Sequence, residues 1–420
     1  MFYNFFLQIF IQFSMSRIIM HVDMNSYFAS VEQQANPFLR GRPIGVTGKA
    51  QVAETGKASR GIVVAASIEA KQQGIKTAMS TWEAKHLCPS LLFVQGDPEK
   101  YAEITHRFNV LFHEFTDFVE MFSVDESFLD VTEEAKDFFG AIIMAQMIKQ
   151  RLKEECGERI TCSIGIGVNK LMAKLASDHM KPDGLVVVKP SEECAFLDQC
   201  VLSDVCGIGY HRKEQLQNLG IFTFKRLREY PLDRLIQEFK SVGYWLHEAA
   251  YGRGDNQVIP YESEPKSIGH SYTLSKDTTD KEVMKHTLLG LADKVAWRLR
   301  RDGYQAKLVR VYIRFGDFSG FGKEKRFEQP LTDGLALFKN AWPLIKHLTH
   351  NPVRLLGISV GALMKGPEQP SLFKKERKVS SVLCALDHLQ TRYGSNSWTR
   401  ASLLGVHFQA RSSGFHFDQE

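Results

Sequence analysis

Three carboxylates stand at the ends of apolar runs in this 420-residue chain. Asp23 follows Ile18-Ile19-Met20-His21-Val22, and Asp125-Glu126 separate residues 119–124 from residues 128–131. Carboxylates are hard oxygen donors, and a few of them suffice for magnesium, which keeps waters and substrate phosphates in its shell. Cations held ~3.5–4 Å apart can align the attacking and leaving oxygens of a phosphoryl transfer and neutralise the charge between them. Neighbouring side chains on a straight strand point to opposite faces, so Asp125 and Glu126 can serve one site only where the chain bends. A hairpin joining 119–124 to 128–131 supplies that bend. Taken singly, Asp23 reads equally as a helix cap, and Asp125-Glu126 as a solvated turn.

The run before Asp23 is short enough to be a buried strand. Cys162-Ser163-Ile164-Gly165-Ile166-Gly167-Val168-Asn169-Lys170 reads as a strand, a glycine-marked turn and then a helix whose first-turn amides face outward, with Lys174 one turn in. Helix N-termini attract phosphate, and a lysine there adds a point charge. Leu171, Leu175 and Met180 give that helix an apolar side, and Lys181-Pro182-Asp183-Gly184 ends it with turn residues.

Val205-Cys206-Gly207-Ile208-Gly209, followed by Leu216, Leu219, Gly220 and Ile221, has the pattern of a helix–hairpin–helix. In that motif a glycine turn, here Gly207 and Gly209, offers backbone amides to a DNA phosphate without reading sequence. Met284, Leu288, Leu291, Val295 and Leu299 follow helical spacing, whereas residues 307–315 alternate. Val309, Val311, Ile313 and Phe315 form a core face; Leu308, Arg310, Tyr312 and Arg314 form a basic and aromatic face suited to a DNA backbone, or to solvent.

The formal net charge is only +5, yet residues 267–364 hold sixteen lysines and arginines against nine acids. The basic character is therefore local, as in a module lying along phosphates. Seven cysteines occur without a Cys-x-x-Cys spacing, and Cys156, Cys162, Cys194 and Cys384 fall in core-like or helical stretches. A reduced cytoplasm fits that usage better than a disulfide framework or a zinc site. Residues 1–16 are apolar and rich in phenylalanine, carry no positive charge, and are short for a bilayer, so neither a membrane span nor a signal peptide is expected. Met15 or Met20 as the native start, and a loose extension, both stay open.

Asp23-Met24-Asn25-Ser26-Tyr27-Phe28, Ser123-Val124-Asp125-Glu126-Ser127, residues 162–184 and residues 202–221 stand in the order found in the Y-family DNA polymerases, the translesion class. From about Arg17 to Leu404 the chain resembles their bacterial DinB-like (polymerase IV) branch. The resemblance implies an α+β multidomain protein, a right-hand polymerase of palm, fingers and thumb with an additional α/β little-finger domain. Its parts would be an extension at 1–16, a catalytic palm at 17–26 and 95–184, fingers at 27–94 and a helical thumb at 185–256. A linker at 257–266, the little finger at 267–364 and a tail at 365–420 would follow.

The same resemblance makes Asp23, Asp125 and Glu126 the catalytic metal ligands, with the backbone carbonyl of Met24 completing a site for two Mg²⁺ ions. It puts Phe28 at the steric gate, where a rigid ring rejects a 2′-hydroxyl by clash. Lys174 and Lys71 would hold the incoming triphosphate. In the segment 65–71 relatives typically carry a tyrosine and an arginine; Ile68 and Lys71 stand there instead, losing a hydroxyl and a bidentate fork. Gln369-Pro370-Ser371-Leu372-Phe373 resembles the pentapeptide with which bacterial polymerases dock on the sliding clamp, Gln369, Leu372 and Phe373 making the contacts. Residues 382–404 resemble the short helical tail of many relatives.

The activity implied is template-directed, error-prone addition of dNTPs to a primer 3′ end opposite damaged bases, releasing pyrophosphate, without proofreading. Primer–template DNA, dNTPs and the sliding clamp would be its partners, and it would be a cytoplasmic monomer. A different class, a non-catalytic polymerase-like adaptor binding DNA and clamp, is disfavoured by Asp23, Asp125, Glu126 and Lys174, which an adaptor does not need. A nucleotide cyclase on a similar palm fails to explain the hairpin motif or the clamp peptide.

Overall fold

A computed structural model describes residues 16–48, 61–261, 264–348, 351–366, 374–394 and 397–404. The chain divides into two units, one running to Tyr261 and the other from Glu264 onward.

The first unit is organised by β1 (Ile19–Met24), every residue of which is buried. Strands β2 (Ile44–Thr47), β3 (Val63–Ala66) and β4 (Leu92–Gln95) form a separate sheet ordered β3-β2-β4. Strands β5 (Val119–Met121), β6 (Glu126–Asp130), β7 (Cys162–Gly167) and β8 (Leu185–Val187) join β1 in a sheet ordered β5-β6-β1-β7-β8. β1 lies between antiparallel partners, so its alternating side chains meet packed layers on both faces. Met20, Val22 and Met24 enter the main core with residues of α4 (Pro98–Phe112) and α5 (Phe138–Cys156), whereas Ile19 packs with Phe128 and Ala173 on the other face. That second face is covered by α6 (Lys170–His179). Period-2 alternation thus puts Ile19, His21 and Asp23 on the α6 side.

The buried apolar residues of α6 are Met172, Ala173, Leu175 and Ala176. Leu175 is among them as expected, but Met180 is 59% exposed, because the helix has already ended at His179.

Around the small sheet lie α1 (Tyr27–Ala35), α2 (Ile68–Gln72) and α3 (Thr81–Leu87). Ser67 and Ser80 cap α2 and α3 by accepting from the amides of Ala70 and Glu83. Helices α7 (Glu193–Leu197), α8 (Tyr210–Asn218), α9 (Phe224–Glu229), α10 (Leu232–Phe239) and α11 (Ser241–Ala250) surround Leu202, Leu216, Phe224, Leu227 and Leu246. The stretch read as a linker begins as packed chain: Val258 is buried beside Ile19 and Phe128, and the Ile259 amide donates to Glu120 at 2.8 Å.

The second unit is a four-stranded antiparallel sheet, β11-β10-β12-β9, packed with two helices. Its elements are β9 (Ser267–Thr278), α12 (Lys281–Arg301), β10 (Tyr304–Phe315), β11 (Gly320–Leu331), α13 (Gly334–Ile345) and β12 (Val353–Lys365). Met284, Leu288, Leu291, Val295 and Leu299 are all buried, each worth roughly 1.5–3 kcal/mol of transfer free energy. Val309, Val311 and Ile313 are buried as well, and Arg310 is exposed on the opposite face. The tail helix α14 (Lys374–Tyr393) is fastened by a bidentate pair, Arg300 Nε and Nη2 to the two oxygens of Asp387 at 2.6 and 2.7 Å. All seven cysteines are free. Among the described residues no helix is long and apolar enough to cross a membrane.

Candidate active site

The bend required by Asp125-Glu126 is present. The amides of Phe122 and Ser123 both donate to the Glu126 carbonyl, at 3.0 and 3.1 Å, closing a tight hairpin between β5 and β6. The Met24 amide donates to the Asp125 carbonyl at 2.9 Å, and Asp23 stands directly across the ladder from Glu126. After β1 the chain turns into α1 through Ser26, whose φ of 49° is left-handed, at a cost of about 1 kcal/mol. That conformation is held locally, since Ser30 donates its amide to the Ser26 carbonyl and its hydroxyl to the Asn25 carbonyl.

Each facing carboxylate has its own cation. Lys181 Nζ lies 2.7 Å from Asp23 Oδ2 and 2.8 Å from Asp178, and Lys174 Nζ donates to Glu126 Oε1. Burial pushes the Asp23 carboxyl above the ordinary carboxylate range despite Lys181. Burial acts on Glu126 in the same direction, but the hydrogen bond and charge of Lys174 outweigh it and leave that carboxyl below its usual value. Asp125 is raised by burial while it accepts from Ser123 Oγ at 2.7 Å.

A cavity of about 600 Å³ opens beside these groups, lined among others by Asp23, Asp125, Phe28, Ile68, Lys71 and Lys181. Phe28 stacks on Tyr101 with ring centroids 4.2 Å apart and planes 11° apart, so its ring is held flat. Tyr27 turns inward, donating to the Tyr101 carbonyl at 2.8 Å and meeting Thr105 Oγ1 at 2.9 Å. Burial first, and then the charge of Lys181, lower Lys71 below its ordinary value, as expected of two cations sharing one desolvated space.

Lys174 is absent from this lining; it sits between Glu126 and the Phe122 ring, 5.4 Å from the centroid. At the N-terminus of α6, moreover, amides of the first turn are already engaged. The Lys170 amide donates to the Asp255 carbonyl at 2.9 Å, and Asn169 caps the Met172 amide. Topology gives the reason: β7 is antiparallel to β1, with Gly167 opposite Ile19, so the helix starts at the end of β1 remote from Asp23 and finishes near it. Lys181, two residues past the helix, is the cation that this return delivers to the cavity. In the sequence it stands only in a turn; a helix returning along β7 must end beside Cys162 and hence Met24.

Gly207 adopts a φ of +103°, and a Cβ there would meet Trp245 at 3.1 Å, so its glycine is required. Gly209 precedes α8 with open space around it. Arg310 pairs with Glu324 at 2.6 Å, and Arg314 lies over the Tyr312 ring, both in the second unit. Gln369, Leu372 and Phe373 lie outside the described residues, as do residues 1–15.

The donors at the end of β1 suit a hard divalent cation, being the carboxylate oxygens of a buried Asp23 and of half-buried Asp125 and Glu126. Among the described residues, however, no three His, Cys, Asp or Glu side chains are arranged to hold a metal. Lysines occupy Asp23 and Glu126, and Ser123 occupies Asp125.

The impB/mucB/samB family matches residues 22–178, and the C-terminal domain of that family matches residues 265–372. The chain is 36% identical over 346 residues to the DNA polymerase IV of Bacteroides fragilis, covering 82% of this chain and 92% of the relative. It is 38% identical to the DNA polymerase IV of Streptococcus mutans, over 83% and 93%. Among solved structures, a Y-family DNA polymerase chimera of Dbh and Dpo4 matches with a TM-score of 0.74 at 26% identity, over 83% of this chain and all of that one. An insertion ternary complex of Dbh DNA polymerase matches with a TM-score of 0.58, at the same identity and coverage.

Proposed function

The chain belongs to the Y-family DNA polymerases, in their DNA polymerase IV branch, and is a DNA-directed DNA polymerase; from that premise we propose a site-by-site account of an error-prone translesion enzyme. The observation that carries it is the cavity shared by Asp23, Asp125, Phe28, Lys71 and Lys181. Carboxylates, two lysines and a ring held flat, all lining one cavity, suit a nucleoside triphosphate.

In this reading Asp23, Asp125 and Glu126, with the Met24 carbonyl, are the ligands of two Mg²⁺ ions. Bound there, the ions would favour the 3′-oxygen as nucleophile and neutralise the departing pyrophosphate. Lys181 and Lys71 hold the triphosphate, Lys181 exchanging Asp23 for phosphate oxygens. Lys174 serves as the counter-ion of Glu126. Phe28, kept flat by Tyr101, lies against the sugar and excludes a 2′-hydroxyl.

Val64, Ala65 and Ala66 line the same cavity with small side chains, which supports a loose check on base-pair shape and hence misinsertion. The enzyme would work without proofreading. Gly207 and Gly209 would present amides to a DNA phosphate from the thumb, which begins after 187 rather than at 185 because β8 pairs with β7 in the sheet of β1, and Arg310 and Arg314 would lie along the backbone from the little finger, residues 267–364. Gln369, Leu372 and Phe373 would dock on the sliding clamp. The working form would be a cytoplasmic monomer.

Primer extension on undamaged and abasic templates, with and without Mg²⁺, tests the account. Extension past the abasic position that requires Mg²⁺ is expected. Binding to primer–template with no extension under any divalent cation would return the chain to the adaptor class.

A further inference from the structure

His21 lies inside β1, two residues before Asp23 and on the same face, and is completely buried. Its Nδ1 is 2.7 Å from Ser177 Oγ. That hydroxyl donates its single proton to the Lys174 carbonyl, at 2.8 Å, one turn earlier in α6. Ser177 therefore accepts from the ring, and the imidazole proton resides on Nδ1. Nε2 is left with a bare lone pair, buried and without a hydrogen-bond partner.

That orphan acceptor points at the site. Nε2 is 3.9 Å from Glu126 Oε1, too far for a hydrogen bond, and the same Oε1 receives the Lys174 ammonium. Two acceptors so placed repel one another, and only the carboxylate has a cation; Nε2 has none. A buried acceptor without a donor costs about as much as a lost hydrogen bond, so its retention beside a lysine that has one carboxylate to lose is informative.

We propose that His21 Nε2 is the second seat of the Lys174 ammonium. When Glu126 turns to a divalent cation, Lys174 gives up Oε1 and donates to Nε2, so that neither its charge nor the histidine lone pair is left buried and unpaired. His21 is a positioning residue on this account; it touches neither substrate nor reacting atoms. The Ser177 hydroxyl, bonded at once to the ring and to the Lys174 backbone, fixes the tautomer that makes the seat available. The inference rests on the assignment of Glu126 as a metal ligand in the reading above.

The test measures Mn²⁺ binding directly, by electron paramagnetic resonance of the free ion, to the full chain on a dideoxy-terminated primer–template with the next dNTP. His21→Asn keeps an amide donor near Nδ1 for Ser177 and removes Nε2; His21→Gln places an amide oxygen near Nε2 and gives up Ser177. Asn is expected to weaken Mn²⁺ affinity about tenfold, the scale of one hydrogen bond to a charged group, and Gln to stay within about twofold. In a Lys174→Met background, where no ammonium needs a seat, His21→Asn should have no further effect. Thermal melts without metal confirm that each variant is folded.

Wild-type affinity in His21→Asn, an equal loss in both single variants, or an undiminished penalty in the Lys174→Met background would overturn the proposal. Glu126→Gln is run alongside. Unchanged Mn²⁺ binding there would sink the metal-ligand reading itself, whereas loss in Glu126→Gln with none in His21→Asn sinks only the role of His21.

Discussion

Asp23 and Glu126 are direct register partners across β1 and β6, yet their charges are balanced separately, by Lys181 and Lys174. The two lysines bracket the C-terminal half of α6 and the turn after it. Helix and strands together thus hold two carboxylates and two ammoniums at one end of the sheet, with Asp125 beside them.

Removing one carboxylate should therefore cost catalysis far more than folding or DNA grip. Asp125→Asn and Glu126→Gln are each expected to lower the rate of nucleotide addition by about a thousandfold, the scale of losing one charge-stabilising group in a preorganised site. Primer–template affinity should stay within about threefold, because contacts assigned to the thumb and little finger are untouched. Single-turnover extension and a filter-binding titration, made on the same preparations, check both halves.

The flat stack of Phe28 on Tyr101 makes the ring a fixed wall. Phe28→Ala should reduce discrimination against ribonucleotides by about a hundredfold, with a much smaller change in deoxynucleotide use. Tyr27 is already committed to Tyr101 and Thr105, so Tyr27→Phe should leave discrimination as it is. The ratio of kcat/KM for rNTP and dNTP in each variant is the measurement.

What could be read from the chain alone followed from periodicity and from short-range geometry. Alternation in β10, helical spacing in α12 and the adjacency of Asp125 and Glu126 each demanded one local shape, and the structure adopts it. Lys181 was illegible because its relevance depends on pairing β7 antiparallel to β1, a contact between residues about 140 apart. The same pairing sends the start of α6 to the far end of the sheet, where Asp255 closes it. Val258 carries no signal for a related reason: two adjacent apolar residues, Val258 and Ile259, ahead of a polar stretch define no period.

The tail has a definable energetic role in the second unit. Arg400 makes two hydrogen bonds to Asp293, at 2.7 and 2.8 Å, and burial raises the Asp293 carboxyl even against that partner. Taking the guanidinium away leaves a desolvated acid, so Arg400→Ala should destabilise the second unit by about 2 kcal/mol. Calorimetry of the full chain should show its transition shifted down. Arg377→Ala, for which no partner in that core is required, should shift it little.

The fingers segment provides the sharpest quantitative expectation. Ile68 and Lys71 line the cavity, at the two positions where the family resemblance implies a tyrosine hydroxyl and an arginine fork. A lysine is a single mobile charge, and isoleucine gives phosphate nothing, so two hydrogen-bonding contributions are reduced together. At roughly 1 kcal/mol each, restoring both corresponds to about tenfold or more in nucleotide affinity. Lys181 lines the same cavity and, in the proposed reading, would supply part of the missing attraction, which bounds the gain. Ile68→Tyr with Lys71→Arg is therefore expected to lower the KM for dNTPs by about tenfold without a comparable loss of kcat, and Lys181→Met to raise it by a similar factor. The two changes should be separable, since the first adds donors on α2 and the second removes one beside Asp23. Incorporation rate against dNTP concentration decides the matter: an unchanged KM in the double variant, with a large rise in Lys181→Met, would mean that Lys181 alone carries the triphosphate and that the residues at 68 and 71 do not reach it.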